Sequence, residues 1–460
     1  MKTRFAPSPT GYLHIGNVRT ALFCDLLAKA KNGHFLLRIE DTDQSRSSTE
    51  FADHLQKDLH WLGLEWNEGP YYQSQRQAIY DDYYHRLEKI SRAYLCFCTE
   101  QQLSIARKVQ MASGQPPRYA GTCRHLTAEQ IAQKIAQGLK STWRFSVPEG
   151  EVIEFNDFVR GVQTFQSSEI GDFIIRRADG TAPFFFCNAI DDALMEVTHV
   201  LRGEDHLTNT PRQLLILKAL NLATPTYGHL ALIVGSDGSP LSKRHGSRNI
   251  QELRESGYIP QGIVNYLARL GHYYTSNDFM DLNQLAAAFS TESLGKAPAH
   301  FDAAQMLYWQ KQAVANLSKD ALWQWLGAEV QALVPAAQRD IFLKTIHSNV
   351  TFPANGLHWA NVLFVDPVPY APEALPILQQ AGSAFFKTAI DLLPQHKTDF
   401  KALAHALQQA TGLKGKSLYQ PLRIALTGQL DGPEMVNIFE LFGVDRIRTR
   451  LHHAEKIANK

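Results

Sequence analysis

Between Arg4 and Asn17 the chain reads Arg-Phe-Ala-Pro-Ser-Pro-Thr-Gly-Tyr-Leu-His-Ile-Gly-Asn, and this stretch constrains the fold more than any other. Thr3 to Ala6 is apolar enough for a short strand. Pro7-Ser8-Pro9-Thr10-Gly11 can neither continue a strand nor begin a regular helix, so it is a stiff loop. A helix is predicted from Ile15, with Val18, Ala21, Leu22 and Leu26 on one face and Asn32-Gly33 as its stop. Strand, loop and helix N-terminus in succession leave free backbone N–H groups where an anion can sit. Gly11 and Gly16 allow close backbone approach, and His14 lies in the turn as a phosphate donor. The plain alternative is an ordinary strand-to-helix connection with a surface histidine.

The α/β pattern continues. Phe35 to Ile39 is a second strand, apolar enough for a buried parallel sheet. It runs into Glu40-Asp41-Thr42-Asp43, acids at the strand edge where open α/β sheets bind ligands. Ser47 and Glu50 have capping-box spacing ahead of Phe51, Leu55, Leu59 and Leu62. Gly69-Pro70-Tyr71-Tyr72 breaks the pattern before an amphipathic helix with Ile79, Tyr83, Leu87 and Ile90. From about 96 to 186 the chain holds short strands, among them Trp143-Arg144-Phe145 and Phe173-Ile174-Ile175-Arg176, and Asp179-Gly180 reads as a hairpin turn. This segment is read as an insertion splitting the nucleotide-binding fold. The α/β pattern resumes at Asp191-Asp192, with strands at Thr198–Leu201 and Leu230–Val234 and a helix from Pro211. Beyond about 310, Ala-, Leu- and Gln-rich segments broken by prolines point to a helical domain. The expected organisation is 1–95 and 187–245 for the two halves of an α/β domain, 96–186 for the insertion, 246–310 for a helical connector and 311–460 for the helical domain.

A chain of 460 residues is too long for one core. With 44% hydrophobic and 20% charged residues it has the composition of a soluble globular protein. No apolar run is long enough to span a bilayer and no signal peptide opens the chain, so a cytoplasmic protein is expected. Net charge is +1, so any RNA-binding surface must be a local patch.

A second motif, Leu241-Ser242-Lys243-Arg244-His245-Gly246, follows the Asp237-Gly238 turn. Two cations beside Ser and Gly can wrap a triphosphate, although such a run alone is usually solvated surface. The Arg4–Asn17 string resembles the HIGH signature of class I aminoacyl-tRNA synthetases, with Asn17 at its last histidine, and Pro7 to Gly11 resembles the glutamyl and glutaminyl subgroup. The second motif resembles the KMSKS loop, with Pro240 at its first lysine. Arg38 to Asp43 and Gly69 to Ser74 also look like glutamyl-tRNA synthetase blocks. The resemblance implies a class I α/β nucleotide-binding (Rossmann-like) catalytic domain with an α+β zinc-bearing insertion, plus an all-α C-terminal anticodon-binding domain. It implies ATP-dependent attachment of L-glutamate to tRNA-Glu, tRNA-Gln or both through a glutamyl-adenylate, by a monomer. ATP with magnesium would be held by Thr10, Gly11, His14, Gly16, Asp205, Lys243 and Arg244, with His14 and Lys243 catalytic. Loss of Lys243 would raise the barrier by about 3–4 kcal/mol, as for one preorganised oxyanion donor.

Cys96-Phe97-Cys98 and Cys123-Arg124-His125 share a one-residue spacing. On strands each pair would point to one face, and together they make a tetrahedral set for one structural zinc. The alternative is four buried or idle side chains; the resemblance favours zinc, since some glutamyl-tRNA synthetases carry one in their acceptor-binding insertion.

By similarity Arg4, Ser8, Glu40, Asn188 and Arg202 match amino-acid-binding positions, and Phe184 stands where the family usually has Tyr, losing one hydroxyl. Arg4 and Arg202 could fork onto a substrate carboxylate and reject an amide, or could be ion-pair partners of Glu40 or Glu204. Lys414, Lys416, Arg446, Arg448 and Arg450 could form a phosphate-contacting patch or an ordinary solvated face. Three rivals are weighed. A shorter tRNA-modifying homologue is disfavoured by length and a glutaminyl enzyme by the helical C-terminus. A catalytically idle RNA-binding relative is disfavoured by intact His14 and Lys243.

Overall fold

The computed structural model describes residues 1–43, 46–114, 117–239, 241 and 248–459. The chain forms two compact units, Met1–Arg254 with Ile263–Met306, and Glu255–Gly262 with Leu307–Lys460. No helix among the described residues is long and apolar enough to cross a membrane.

In the first unit, β1 (Lys2–Phe5), β2 (His34–Ile39) and β3 (Glu68–Tyr72) form a parallel sheet with β2 central. α1 (Ile15–Ala30) is the crossover between β1 and β2. It is buried on nearly every side rather than along one stripe. The reason is tertiary: beyond the sheet-facing side, Phe23 packs edge-on to His272 and against Phe289. Asn32, in the left-handed region, and Gly33 close the helix. The next helix is capped by Ser48, whose side chain accepts from Glu50 N, one residue later than the expected Ser47.

The insertion contains the antiparallel sheet β4 (Ala93–Cys96), β5 (Thr142–Phe145) and β8 (Phe173–Arg176), and the hairpin of β6 (Val152–Asp157) and β7 (Gly161–Gln166). Asp179-Gly180 forms a turn but not a hairpin, since the chain passes from it into the helix Phe184–Leu194. One hydrophobic cluster joins Trp143, Phe145 and Phe173 of the insertion to Tyr80, Tyr84, Phe186 and Ile216 of the α/β helices, which makes the insertion part of the first unit. β9 (His199–Gly203) and β10 (Thr226–Leu230) pair in parallel, with Arg202 opposite His229. The strand expected at Leu230–Val234 is divided between the end of β10 and β11 (Ile233–Val234), which pairs with β12 (Ala299–His300). Thr198 N donates to Lys2 O at 2.9 Å, joining β9 to the edge of β1.

The second unit contains helices and no strand among its described residues. Its long helices Leu375–His396 and Met435–Ala458 are interrupted at Gly382 and Gly443, which adopt positive φ.

Candidate active site

A cavity of about 850 Å³ opens at the C-terminal ends of β1 and β9 and at the N-terminus of α1. Arg4, Ser8, Thr10, Gly11, His14, Gly16, Phe184, Asn188, Arg202 and Asp205 all line it. Ten residues separated by up to about two hundred positions in sequence thus meet at one sheet edge. Lys243 and Arg244, with Pro240, lie outside the described residues.

His14 is the N-cap of α1, and its Nδ1 accepts from Gly16 N at 3.1 Å. An accepting Nδ1 puts the ring proton on Nε2. Partial desolvation lowers the His14 pKa, favouring this neutral donor. A Cβ at residue 16 would stand 2.9 Å from the His14 ring, so the glycine is required by close approach.

Behind the cavity lies a buried charge network. Asp192 pairs with Arg38 at 2.8 Å and with Arg4 at 3.3 Å. Burial alone would raise the Asp192 pKa, but these two arginines hold it below the usual carboxylate range. Asp191 accepts from Arg76 at 2.7 Å, Tyr80 at 2.7 Å and Gln73 at 3.0 Å. Arg38 also donates to Asn188 Oδ1 at 2.9 Å and to Glu40 Oε1 at 3.5 Å. Glu40 is not in the cavity wall but just behind it; burial pushes its pKa up to about 7, and Oε2 is buried without a hydrogen-bond partner.

Arg4 and Arg202 differ in a way their sequence context does not reveal. Arg4 is matched by Asp192. Arg202, 4% exposed, has no carboxylate within ion-pairing distance among the described residues. Its Nη2 donates to Gln213 Oε1 at 2.7 Å and Thr210 Oγ1 at 2.8 Å, and its Nε donates to His229 Nε2 at 3.1 Å. Nη1 is buried and unpartnered. Burial lowers the Arg202 pKa to about 10, as expected of a cation not offset by an anion. Glu204 is engaged by Arg160 and by Leu232 N. The alternative in which Glu40 or Glu204 neutralises these arginines is therefore not what the fold adopts. Phe184 stacks on His206 at 4.8 Å, and burial lowers that imidazole to about 4, keeping it neutral.

The three thiols of Cys96, Cys98 and Cys123 lie within 4.8 Å of one another. His125 is exposed and outside the cluster. The expected pairing fails because β4 ends at Cys96 and Cys123-Arg124-His125 lies in a turn, where alternation no longer governs side-chain direction. Tyr119 occupies the open side instead: Oη accepts from Cys96 Sγ at 3.4 Å, lies 3.6 Å from Cys98 Sγ and accepts from Cys123 N at 2.8 Å. Three soft sulfurs and one phenolic oxygen make a donor set that fits a tetrahedral zinc.

In the helical unit Lys414 and Lys416 are exposed, and Arg448 pairs with Asp445 at 3.5 Å. Arg450 is not a phosphate-facing residue. It is 2% exposed and donates to the carbonyls of Val362, Leu426 and Val365 and to Asp366. Arg446 shares Asp366 at 2.8 Å and donates to Phe364 O. A basic run on a helix contains inward and outward positions, and the inward ones tie this helix to the carbonyl ends of its neighbours.

Residue-by-residue reading missed Arg38, Gln73, Tyr80, Asp157, Thr210, Gln213 and His229 as site-building residues. Arg38, Asp191 and Asp192 stood in noted strings, so charged residues inside an apolar strand and helix were an available signal. Nothing local marks Asp157 or His229.

A family model described as tRNA synthetases class I (E and Q), catalytic domain, matches residues 1–308, and one described as an anticodon binding domain matches 331–455. The chain is similar to a Coxiella burnetii protein named glutamate–tRNA ligase 2, with 55% identity over 462 residues and 99% of each chain covered. A Nitrosococcus oceani protein of the same name is 54% identical over 461 residues, with 98% of each covered. A crystal structure of a glutamate tRNA ligase from Elizabethkingia meningosepticum in complex with its amino acid matches with a TM-score of 0.89 at 27% identity, covering 99% of both chains. With its catalytic half matched from the first residue and full-length relatives more than half identical, the chain belongs to the class I tRNA synthetases of the glutamate and glutamine type.

Proposed function

We infer that this chain is a glutamate–tRNA ligase, activating L-glutamate with ATP and transferring it to the 3′ end of tRNA. The observation that carries the substrate class is Arg202: a buried guanidinium in the cavity wall, held by neutral acceptors, with one donor edge unused. A carboxylate completes such a site, whereas an amide offers one acceptor oxygen and turns an NH2 donor toward a donor-only cation. Asn188, in the same wall, supplies a neutral polar contact. Glu40 Oε2 is the acceptor for the α-ammonium group, which would draw Glu40 into its ionised form.

ATP binds across the Ser8–Gly11 loop and the N-terminal turn of α1, with magnesium accompanying its phosphates. His14 donates from Nε2 to a phosphate oxygen, and Thr10, Gly11 and Gly16 line the approach. Asp205 lies at the same edge, open to a ribose or ammonium donor. Lys243 and Arg244 are proposed to meet the polyphosphate from the second motif. The substrate α-carboxylate then attacks the α-phosphorus, the bond to the bridging oxygen breaks, and pyrophosphate leaves with the electron pair. In the second step a terminal ribose hydroxyl of tRNA attacks the acyl carbon, its proton is lost, and AMP departs. No covalent enzyme intermediate is required; positioning and charge stabilisation carry the rate. Lys414, Lys416, Arg446 and Arg448 are the proposed tRNA contacts of the helical unit, Arg446 through whatever donor capacity Asp366 leaves it.

Cys96, Cys98 and Cys123, with Tyr119 as fourth donor in place of His125, would hold one structural zinc. Cys98→Ser should lose bound zinc and Tyr119→Phe should weaken its retention against a chelator, while His125→Ala should retain it; unchanged one-to-one zinc in Cys98→Ser would overturn the site. The activity is tested by charging purified tRNA-Glu and tRNA-Gln separately with labelled glutamate and with labelled glutamine. Glutamate on either tRNA supports the reading, and glutamine in preference to glutamate refutes it.

A further inference from the structure

The Arg202 fork is held by a chain of hydrogen bonds that ends in the insertion. β10 pairs in parallel with β9, placing His229 directly beside Arg202. His229 is fully buried, and its Nδ1 lies 2.5 Å from Asp157 Oδ2. Asp157 stands at the end of β6, and its Oδ1 accepts from Val159 N at 2.9 Å, Arg160 N at 2.8 Å and His229 N at 3.2 Å. Those N–H donors and the imidazole keep Asp157 ionised although burial opposes it. An ionised Asp157 can only accept, so the histidine proton resides on Nδ1. Nε2 is thereby left with a lone pair, and it faces Arg202 Nε at 3.1 Å and Thr210 Oγ1 at 3.1 Å. The opposite tautomer would set an N–H against the guanidinium N–H.

The arrangement also separates charge from geometry. Asp157 stands one imidazole ring away from Arg202, so it orients the guanidinium without pairing with it. A carboxylate in direct contact would hold the arginine equally well but would offset the charge that the substrate must meet. Close approach of the hairpin is built into the backbone. Phe158 N donates to Tyr227 O at 3.0 Å, and a Cβ on Gly228 would run into the Phe158 ring.

We propose that Asp157 and His229 are positioning residues for substrate selection: Asp157 fixes the His229 tautomer, and His229 Nε2 holds Arg202 so that Nη1 faces the side-chain carboxylate of glutamate. The proposal rests on the reading of Arg202 as the carboxylate contact. It also gives the insertion a part in amino-acid recognition, since the residue that sets the tautomer belongs to its hairpin.

The test compares Asp157→Asn, His229→Asn, His229→Gln and Arg202→Gln in tRNA-dependent ATP–pyrophosphate exchange, with thermal melts of each. Asp157→Asn can donate to Nδ1 and favours the wrong tautomer, leaving a buried donor unmatched. It should raise KM for glutamate roughly tenfold or more, with KM for ATP within about twofold. His229→Asn should do the same, because it cannot reach Arg202. His229→Gln, which places a carbonyl oxygen near the Nε2 position, should retain KM for glutamate within about threefold. A purely structural role would make the two His229 variants alike, or would move both substrates' KM values together; either result overturns the proposal. If Asp157→Asn fails to fold, the contrast between the two His229 variants decides. If Arg202→Gln itself leaves KM for glutamate unchanged, the pocket reading fails. If it raises that KM while Asp157→Asn and His229→Asn do not, only the positioning role fails.

Discussion

Replacing Arg202 by glutamine tests the substrate reading most directly. The arginine is 4% exposed, its partners are Gln213, Thr210, His206 O and His229, and none of these is an anion. With glutamate bound, the guanidinium and the substrate carboxylate form a buried charge pair. Removing one member of such a pair costs about 3–5 kcal/mol, because the other is left desolvated and unmatched. Converted at 1.4 kcal/mol per factor of ten, that is roughly two to almost four orders of magnitude in kcat/KM for glutamate. Glutamine should gain little, since the shorter side chain at 202 does not reach where Nη1 stands. The assay is ATP–pyrophosphate exchange with tRNA supplied, over a range of glutamate and glutamine concentrations, with KM for ATP as the internal control. A variant that keeps glutamate kcat/KM within threefold of wild type, or a wild type that activates both amino acids equally, would refute the argument.

Three further outcomes follow from the geometry. Gly16→Ala should push the His14 ring off its cap and lower kcat/KM for ATP roughly ten- to hundredfold while the melting temperature changes little; unchanged ATP kinetics would show that His14 does not act from this position. Because Glu40 is pushed up to about 7 by burial, the free protein should hold a proton there at lower pH. KM for glutamate should then fall as pH rises toward about 7 and level off above it, an inflection that Glu40→Gln should abolish. The sign for stability is opposite: a carboxyl whose folded pKa is raised makes the free protein less stable as pH rises from the ordinary carboxyl range toward 7, visible as a falling melting temperature. Arg450→Met leaves three carbonyls and the Oδ1 of Asp366 without their donor, Arg446 still holding Oδ2, and should destabilise the helical unit by about 3–5 kcal/mol in urea titrations; a loss under about 1 kcal/mol would mean water satisfies those groups.

The sequence alone determined the local pieces and the chemistry they advertise. Pro7, Pro9, Gly11 and Gly16 dictate strand, loop and helix start whatever surrounds them, because ring-locked φ and a missing Cβ act within a few residues. The apolar run Phe35–Ile39 is a strand ended by acids for the same local reason, and the three cysteines declare themselves by rarity. What a residue faces across the sheet is set elsewhere. Arg4 and Arg202 look equivalent in the chain, yet one meets Asp192 and the other meets only neutral acceptors, because parallel pairing of β9 with β10 puts His229 beside Arg202. His125 has the right spacing for a ligand, but strand alternation stops at Cys96, so the Tyr119 hydroxyl and not His125 stands beside the thiols. Arg446, Arg448 and Arg450 form one basic run, and helix packing turns Arg450 inward among carbonyls while Arg448 stays near the surface. Short-range sterics and hydrophobic periodicity are written in consecutive residues; pairing of polar side chains 27 to nearly 200 positions apart exists only once the strands are in register.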